Sequence, residues 1–211
     1  MADDKTTIEF LGASPVTEAA LRYWDSIPED TKAVIVETFG SGSIPSEFAA
    51  KIHATVLRGI PVFLLNGVEN PVDEVNGEIS MGITDIKYGV QQKALEAGAV
   101  HIEAVNIGHV RRSSESKSAN PRDNVMEQVR VLAEQSQDMF ELITKVREVY
   151  NLTDEEIQIL EKQTRENAIP ITREKILRAR QSLDTMLVEL KRELSERQAE
   201  LHSELHHQKK L

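Results

Sequence analysis

A chain of 211 residues, 40 % of them apolar, can bury the core of one ordinary domain with an extension, or of two small domains. It contains no Cys and carries a formal charge of −10. This excludes disulfides, thiolate catalysis and Cys-based zinc sites, and leaves no cationic surplus for neutralising nucleic-acid phosphates. No basic segment followed by an apolar stretch opens the chain, and no window approaches the ~18 apolar residues of a membrane span, so a cytoplasmic protein with neither nucleic-acid nor membrane partners is expected.

In chain order, Thr7 to Leu11 reads as a first strand and Gly12 to Pro15 as its exit turn. Thr17 is placed to cap a helix over residues 17–26, with Ala20, Leu21 and Trp24 on one side. Ala33 to Thr38 is a run rich in β-branched residues, the pattern of a parallel strand buried on both faces. Ser46 to Leu57 sets Phe48, Ala49, Ile52, Val56 and Leu57 on one helical face, and Pro61 to Leu65 is the next apolar run. Strand, Gly-rich turn, helix and strand make a βαβ unit, because parallel strands need a crossover of a dozen or more residues. Residues 66–84 are polar and irregular. Ile86 to Ala97 returns to helical spacing, with Gly98 at the C-cap position. Val100 to Ile107 reads equally as a strand or as the start of a helix, and the charged, Ser-rich stretch from Arg112 to Pro121 reads as a linker.

Residues 119–211 hold 18 acids and 15 bases, the density of long helices with opposite charges a turn apart. Apolar residues at 125, 129, 132, 139, 143, 146 and 150 alternate steps of three and four with one lapse at Ser136, which predicts a single helix over 121–150. Thr153 and Glu156 make a capping box for a helix over 154–167, which Pro170 ends. A last helix over 173–207 carries Leu183, Leu187, Leu190, Leu194, Leu201 and Leu205, interrupted by Arg197. The expected architecture is therefore α/β: a small parallel sheet with flanking helices over 1–115, then an extended α-helical region over 116–211. Two apolar stripes are more than a small sheet obviously covers, so a homo-oligomer built through the C-terminal helices is expected.

The chemistry-bearing feature is the turn Phe39-Gly40-Ser41-Gly42-Ser43-Ile44-Pro45 at the carboxyl end of a buried strand, where open α/β sheets place their ligand crevice. Gly40, Ser41, Gly42 and Ser43 are the candidate ligand-binding residues, since glycines let backbone N–H groups approach an anion closely; an empty strand-to-helix turn has the same composition. No Gly-Lys-Ser/Thr follows, so this is not a P-loop, and no cofactor is expected. His202 and His206 lie one turn apart with Glu204 nearby, but lack the intervening Glu of a His-Glu-x-x-His motif, so ordinary solvated histidines and no metal are expected.

The wording of residues 6–110 resembles the C-terminal domain of the asparaginase/glutaminase family. Phe10-Leu11-Gly12 stands at the start, followed by the 39–45 turn and Arg58-Gly59-Ile60-Pro61-Val62; Tyr88 and Ala94-Leu95-Glu96-Ala97-Gly98-Ala99-Val100 complete the pattern in the family's order. Ser43 occupies the place where the family's turn usually has Asn. The family's nucleophilic Thr segments, of Thr-Gly-Gly-Thr and Gly-Thr-Asp-Thr type, are absent, and a hydroxyl without an adjacent base is a poor nucleophile. The resemblance thus implies a non-catalytic interaction or assembly domain that takes a small amino-acid-like ligand at the 39–45 turn.

Two enzymatic alternatives stay open. The first is an amidohydrolase acting on L-asparagine or L-glutamine, assembled in trans with a partner chain that supplies the catalytic Thr. Thr84, Asp85 and Lys87 offer the residue types of the family's Thr-Lys-Asp relay at a different spacing. The second alternative rests on Gly77-Glu78-Ile79-Ser80-Met81-Gly82, which resembles the Ser-Met segment of Clp-type serine peptidases and would use Ser80 with His101 or His109 and a later acid.

Overall fold

Four strands, β1 (Ile8–Leu11), β2 (Ala33–Glu37), β3 (Val62–Leu65) and β4 (Val100–His101), form one sheet that is parallel throughout and keeps chain order across its width. This computed structural model describes residues 6–12, 15–38, 44–65, 92–102, 121–155, 157–158 and 173–208. All five residues of β2 and all four of β3 are buried, as the uninterrupted apolar runs predict for central parallel strands. The register aligns Val34 with Val62, and Val36 with Leu64 and then His101.

Helix α1 (Glu18–Asp25) starts where the sequence predicts: the Thr17 hydroxyl accepts the Ala20 N–H at 3.1 Å, and Trp24 turns into the core. A 3-10 turn over Ser46–Phe48 leads into α2 (Ala49–Leu57), and α3 (Gln92–Glu96) precedes β4. Each of these helices contributes to the same core as Val34, Val36, Val62 and Leu64, through Trp24, Ile52, Val56, Ala94 and Leu95. Crossovers of one hand that always step the same way along a sheet place their helices on one face.

The opposite face carries Ile8, Ala33, Ile35, Phe63, Leu65 and Val100, and it is covered by α4 (Pro121–Glu134) and α5 (Met139–Tyr150) through Val125, Val129, Leu142, Ile143, Val146 and Tyr150. Of the expected 121–150 stripe, Val125, Val129, Ile143, Val146 and Tyr150 are thus buried on the chain's own sheet, Leu132 packs partly buried beside them, and Met139 enters the other core. Both cores draw residues from either side of 115/116, and much of the apolar surface of the C-terminal helices is covered within the chain.

The single helix expected over 121–150 is in fact two. The Ser136 hydroxyl donates to the Leu132 carbonyl at 2.7 Å, while the N–H groups of Gln135 and Ser136 bond to carbonyls three residues back, tightening the last turn of α4. Asp138 then starts α5, its carboxylate accepting from the N–H groups of Phe140 and Glu141 at 2.8 and 2.9 Å. Glu141 reaches back to the Gln137 N–H, and Lys145 pairs with it at 2.8 Å. The Lys145 hydrogen bond, then the Gln137 N–H, holds the Glu141 carboxyl below its ordinary pKa. The chain folds back at this break, so that the Tyr150 hydroxyl donates to the Gln128 side chain at 3.2 Å.

Helix α6 (Arg173–Gln208, 36 residues) matches the expected 173–207 segment. Leu183 and Leu190 enter the first core and Leu187 packs against the second. Arg147 pairs with Asp184 at 2.6 Å, the Arg180 guanidinium donates to the Leu152 carbonyl at 2.9 Å, and Lys191 lies over the Phe140 ring. Residues 66–91, 103–120 and 159–172, which include the expected linker and most of the expected 154–167 helix, lie outside the described residues. Among the described residues no helix is long and apolar enough to cross a membrane.

Between β1 and α1 the Tyr23 hydroxyl donates to the Glu9 carboxylate. Partial burial first, then this hydrogen bond and the Glu9 charge, push the Tyr23 pKa from 10.0 up to about 12. A folded-state pKa above the unfolded one means that the native state holds its proton longer, so stability is intact below pH 10 and declines as the pH rises toward 12. Tyr23→Phe should flatten that alkaline decline in thermal melts. An unchanged alkaline limb would show that the phenol does not contribute to it.

Candidate functional site

The carboxyl ends of parallel strands are where an open α/β sheet leaves room for a ligand. Here that edge is formed by Gly12 after β1, Glu37 and Thr38 at the end of β2, Leu65 at the end of β3, and His101 with Ile102 at β4. Three of these side chains are polar and buried: Glu37 is 5 % exposed, Thr38 2 % and His101 3 %. The Thr38 N–H and hydroxyl both donate to the Leu65 carbonyl, at 2.7 and 3.3 Å, which ties the start of the Gly-rich turn to the neighbouring strand.

Strand alternation distributes these groups. Glu37 is in register with Leu65 and faces the α4–α5 side, whereas His101 is in register with Leu64 on the α1–α3 side. A Cβ on Gly12 would lie 3.7 Å from Glu37 Oε2, so the backbone of the β1 exit turn borders that carboxylate. The edge thus presents a buried carboxylate on one side of the sheet and an imidazole on the other, two strands apart, and they do not form an acid–base pair.

Gly40, Ser41, Gly42 and Ser43 lie outside the described residues, between Thr38 and Ile44, both of which are buried. Thr84, Asp85 and Lys87, as well as Ser80 and His109 of the serine-peptidase alternative, are also outside them. His101, the other histidine of that alternative, sits in β4. His202 Nδ1 is 2.8 Å from the Gln198 carbonyl on the exposed surface of α6, and among the described residues no group of His, Cys, Asp and Glu is arranged to hold a metal ion.

Sequence reasoning passed over Glu37. Its signal is an acid closing an otherwise apolar strand, immediately before the Gly-rich turn. Two cavities lie among the described residues at the amino end of the strands. One of about 460 Å3 is bordered by Leu57, Arg58, Met139, Phe140, Lys191 and Leu194, and one of about 220 Å3 by Thr31, Lys32, Ile60, Gln137 and Leu142; Arg58, Gly59, Asp138 and Met139 belong to both. Cavity size alone does not locate chemistry, and the polar groups aligned by the sheet are at the other end. No family model, curated protein or solved structure matches this chain.

Proposed function

We propose that the chain is an asparaginase-like α/β domain without hydrolytic activity of its own, which binds a small amino-acid-like ligand at the 39–45 turn and assembles with other chains. The observation that carries this reading is Glu37, a carboxylate only 5 % exposed at the ligand edge of the sheet, next to a Gly-rich turn. Glu37 is already engaged within the fold, but a carboxylate accepts through two oxygens and can take an ammonium as well, and turn N–H groups favour an anion. An amino acid offers both, an ammonium for Glu37 and a carboxylate for the backbone of residues 40–43. Assembly would use the outer side of α6, where Leu177 is 43 % and Val188 70 % exposed on the same helical face, rather than the leucines that already pack within the chain.

The test is calorimetric titration of the full chain with L-asparagine, L-aspartate, L-glutamine and L-glutamate, alongside an ammonia assay and light scattering. At least one amino acid should bind saturably with no ammonia above background. Glu37→Gln should weaken binding roughly 10- to 100-fold, the loss of one charge-assisted hydrogen bond of about 1.5–3 kcal/mol, while circular dichroism stays native. Wild-type affinity in Glu37→Gln would sink the site. Ammonia released only when a second chain carrying the Thr segments is added would convert the reading to the amidohydrolase assembled in trans. Ammonia release by the chain alone, lost in Ser80→Ala, would favour the serine hydrolase.

A further inference from the structure

The two cavities at the amino end of the strands are joined through Arg58 and Gly59, where α2 turns into β3. Together they carry more bases than acids: Arg58, Lys191 and Arg197 border the larger one against Asp138, whose carboxylate already accepts two N–H groups at the start of α5, and the smaller one adds Lys32 and Glu29. The Arg58 guanidinium is held in place by the Ile27 and Pro28 carbonyls, at 2.8 and 3.1 Å from one terminal nitrogen. Its remaining N–H donors have no partner among the described residues. The Thr31 hydroxyl, which belongs to the smaller cavity, is 3 % exposed and likewise has no hydrogen-bond partner among the described residues. Phe140, Leu194 and Leu201 supply an apolar wall, and Leu201 remains 52 % exposed.

We infer that this cleft binds an amphipathic organic anion, a carboxylate with an apolar body. Its head lies between Arg58, which both cavities share, and Thr31 of the smaller one, and its body lies along Phe140, Leu194 and Leu201 of the larger one beneath the positive charges of Lys191 and Arg197. A volume of about 460 Å3 lies within the usual span of small-molecule sites, about 300–1,000 Å3. A buried hydroxyl and a braced guanidinium with spare donors are the fixed polar groups that orient a ligand in an otherwise apolar pocket.

Titration of the full chain with decanoate, decanol and acetate tests this. Decanoate should bind saturably, and decanol and acetate at least tenfold more weakly, since each lacks one half of the recognised chemistry. Lys191→Met and Arg197→Met, both at exposed positions that leave the fold intact, should each weaken decanoate about three- to fivefold, the scale of an exposed charge pair. Leu201→Glu should weaken it more than tenfold by setting an acid at the apolar wall, and the melting temperature of each variant checks that the fold holds. Absence of saturable decanoate binding would overturn the inference, as would equal affinity for decanol or unaltered affinity in all three variants. A dimer that Leu201→Glu dissociates, without decanoate binding, would assign the cleft to a second copy of the chain and equally overturn it.

Discussion

Cut after residue 115, the chain should not fold: no cooperative melt, no fixed near-ultraviolet dichroism, and aggregation at concentrations where the full chain is well behaved. The argument is one of area. Val125, Val129, Leu142, Ile143, Val146 and Tyr150 are each at most 3 % exposed, and they cover the face of the sheet formed by Ile35, Phe63, Leu65 and Val100. A large apolar side chain contributes about 1.5–3 kcal/mol when fully buried. Six of them, with the strand residues they cover, reach on the order of 10 kcal/mol, comparable to the whole stability of a typical domain at about 5–15 kcal/mol. Removing them also exposes a flat apolar sheet face, which invites association. Ile143→Ala makes the same point more gently and should cost about 2–5 kcal/mol. A native-like cooperative melt from the truncated chain would show that the sheet and α1 to α3 suffice, and would restore a domain boundary at 115.

The sequence pattern alone suggests such a boundary. Periodicity reveals that a helix has an apolar face, not what the face touches. The stripe from Val125 to Tyr150 is as consistent with a partner chain as with the protein's own sheet, and only the three-dimensional arrangement decides that the sheet takes it. The break inside the stripe is hidden from periodicity for a related reason, because steps of three and four continue through it. The local signal was present in Asp138 and Glu141, three residues apart, which is a helix start. Where local chemistry dominates, the sequence was more legible. Thr17 caps α1, the apolar runs Ala33–Val36 and Val62–Leu65 are buried on both sides, and Gly98 ends α3.

The candidate site divides in the same way. The Gly-rich turn is legible because glycine and strand-end position are local features, whereas the significance of Glu37 depends on Gly12, about 25 residues earlier, lying alongside it in the register of β1 and β2. The cleft at the amino end was invisible, because it brings together residues 31–32, 57–60, 136–140 and 191–201, which no spacing rule connects. Two strings that carry the asparaginase resemblance also have a direct physical reading. Arg58-Gly59-Ile60 and Ala97-Gly98-Ala99 are the same device. The glycine N–H bonds to the carbonyl three residues back, at 2.9 Å in each case, and the next N–H bonds to the carbonyl five back, Ile60 to Thr55 at 3.4 Å and Ala99 to Ala94 at 3.0 Å. This is the Schellman closure, and it delivers each helix into the following parallel strand. Any α-to-β turn of this geometry selects for such glycines, so the family-specific content of the resemblance rests on the wording around them.

Those two glycines should nevertheless respond very differently to substitution. Both have positive φ, +81° at Gly59 and +97° at Gly98, and forcing an L-residue into the left-handed region costs about 1–2 kcal/mol. At Gly59 nothing lies within 4 Å of an added Cβ, so Gly59→Ala should lose only that conformational term. At Gly98 the added atom would stand 3.0 Å from Val56 Cγ1 and 3.2 Å from Leu190 Cδ2, wedged between α2 and α6. Val56 is fully buried and Leu190 nearly so, at 0 % and 6 % exposed, so both must shift by a few tenths of an ångström inside a packed core. Overpacking of this kind costs a further 1–3 kcal/mol or so, which brings Gly98→Ala to about 2–5 kcal/mol. In a chain of this size the melting temperature falls by about 2–4 °C per kcal/mol, so the two variants should separate clearly. Asn, which tolerates the left-handed region, separates the two terms: Gly59→Asn should be close to wild type, while Gly98→Asn should remain strongly destabilised because its Cβ meets the same two side chains. Equal losses at the two positions would show that α6 does not pack against the turn before β4, and with that contact gone the cleft beside Lys191 would lose the support that positions it.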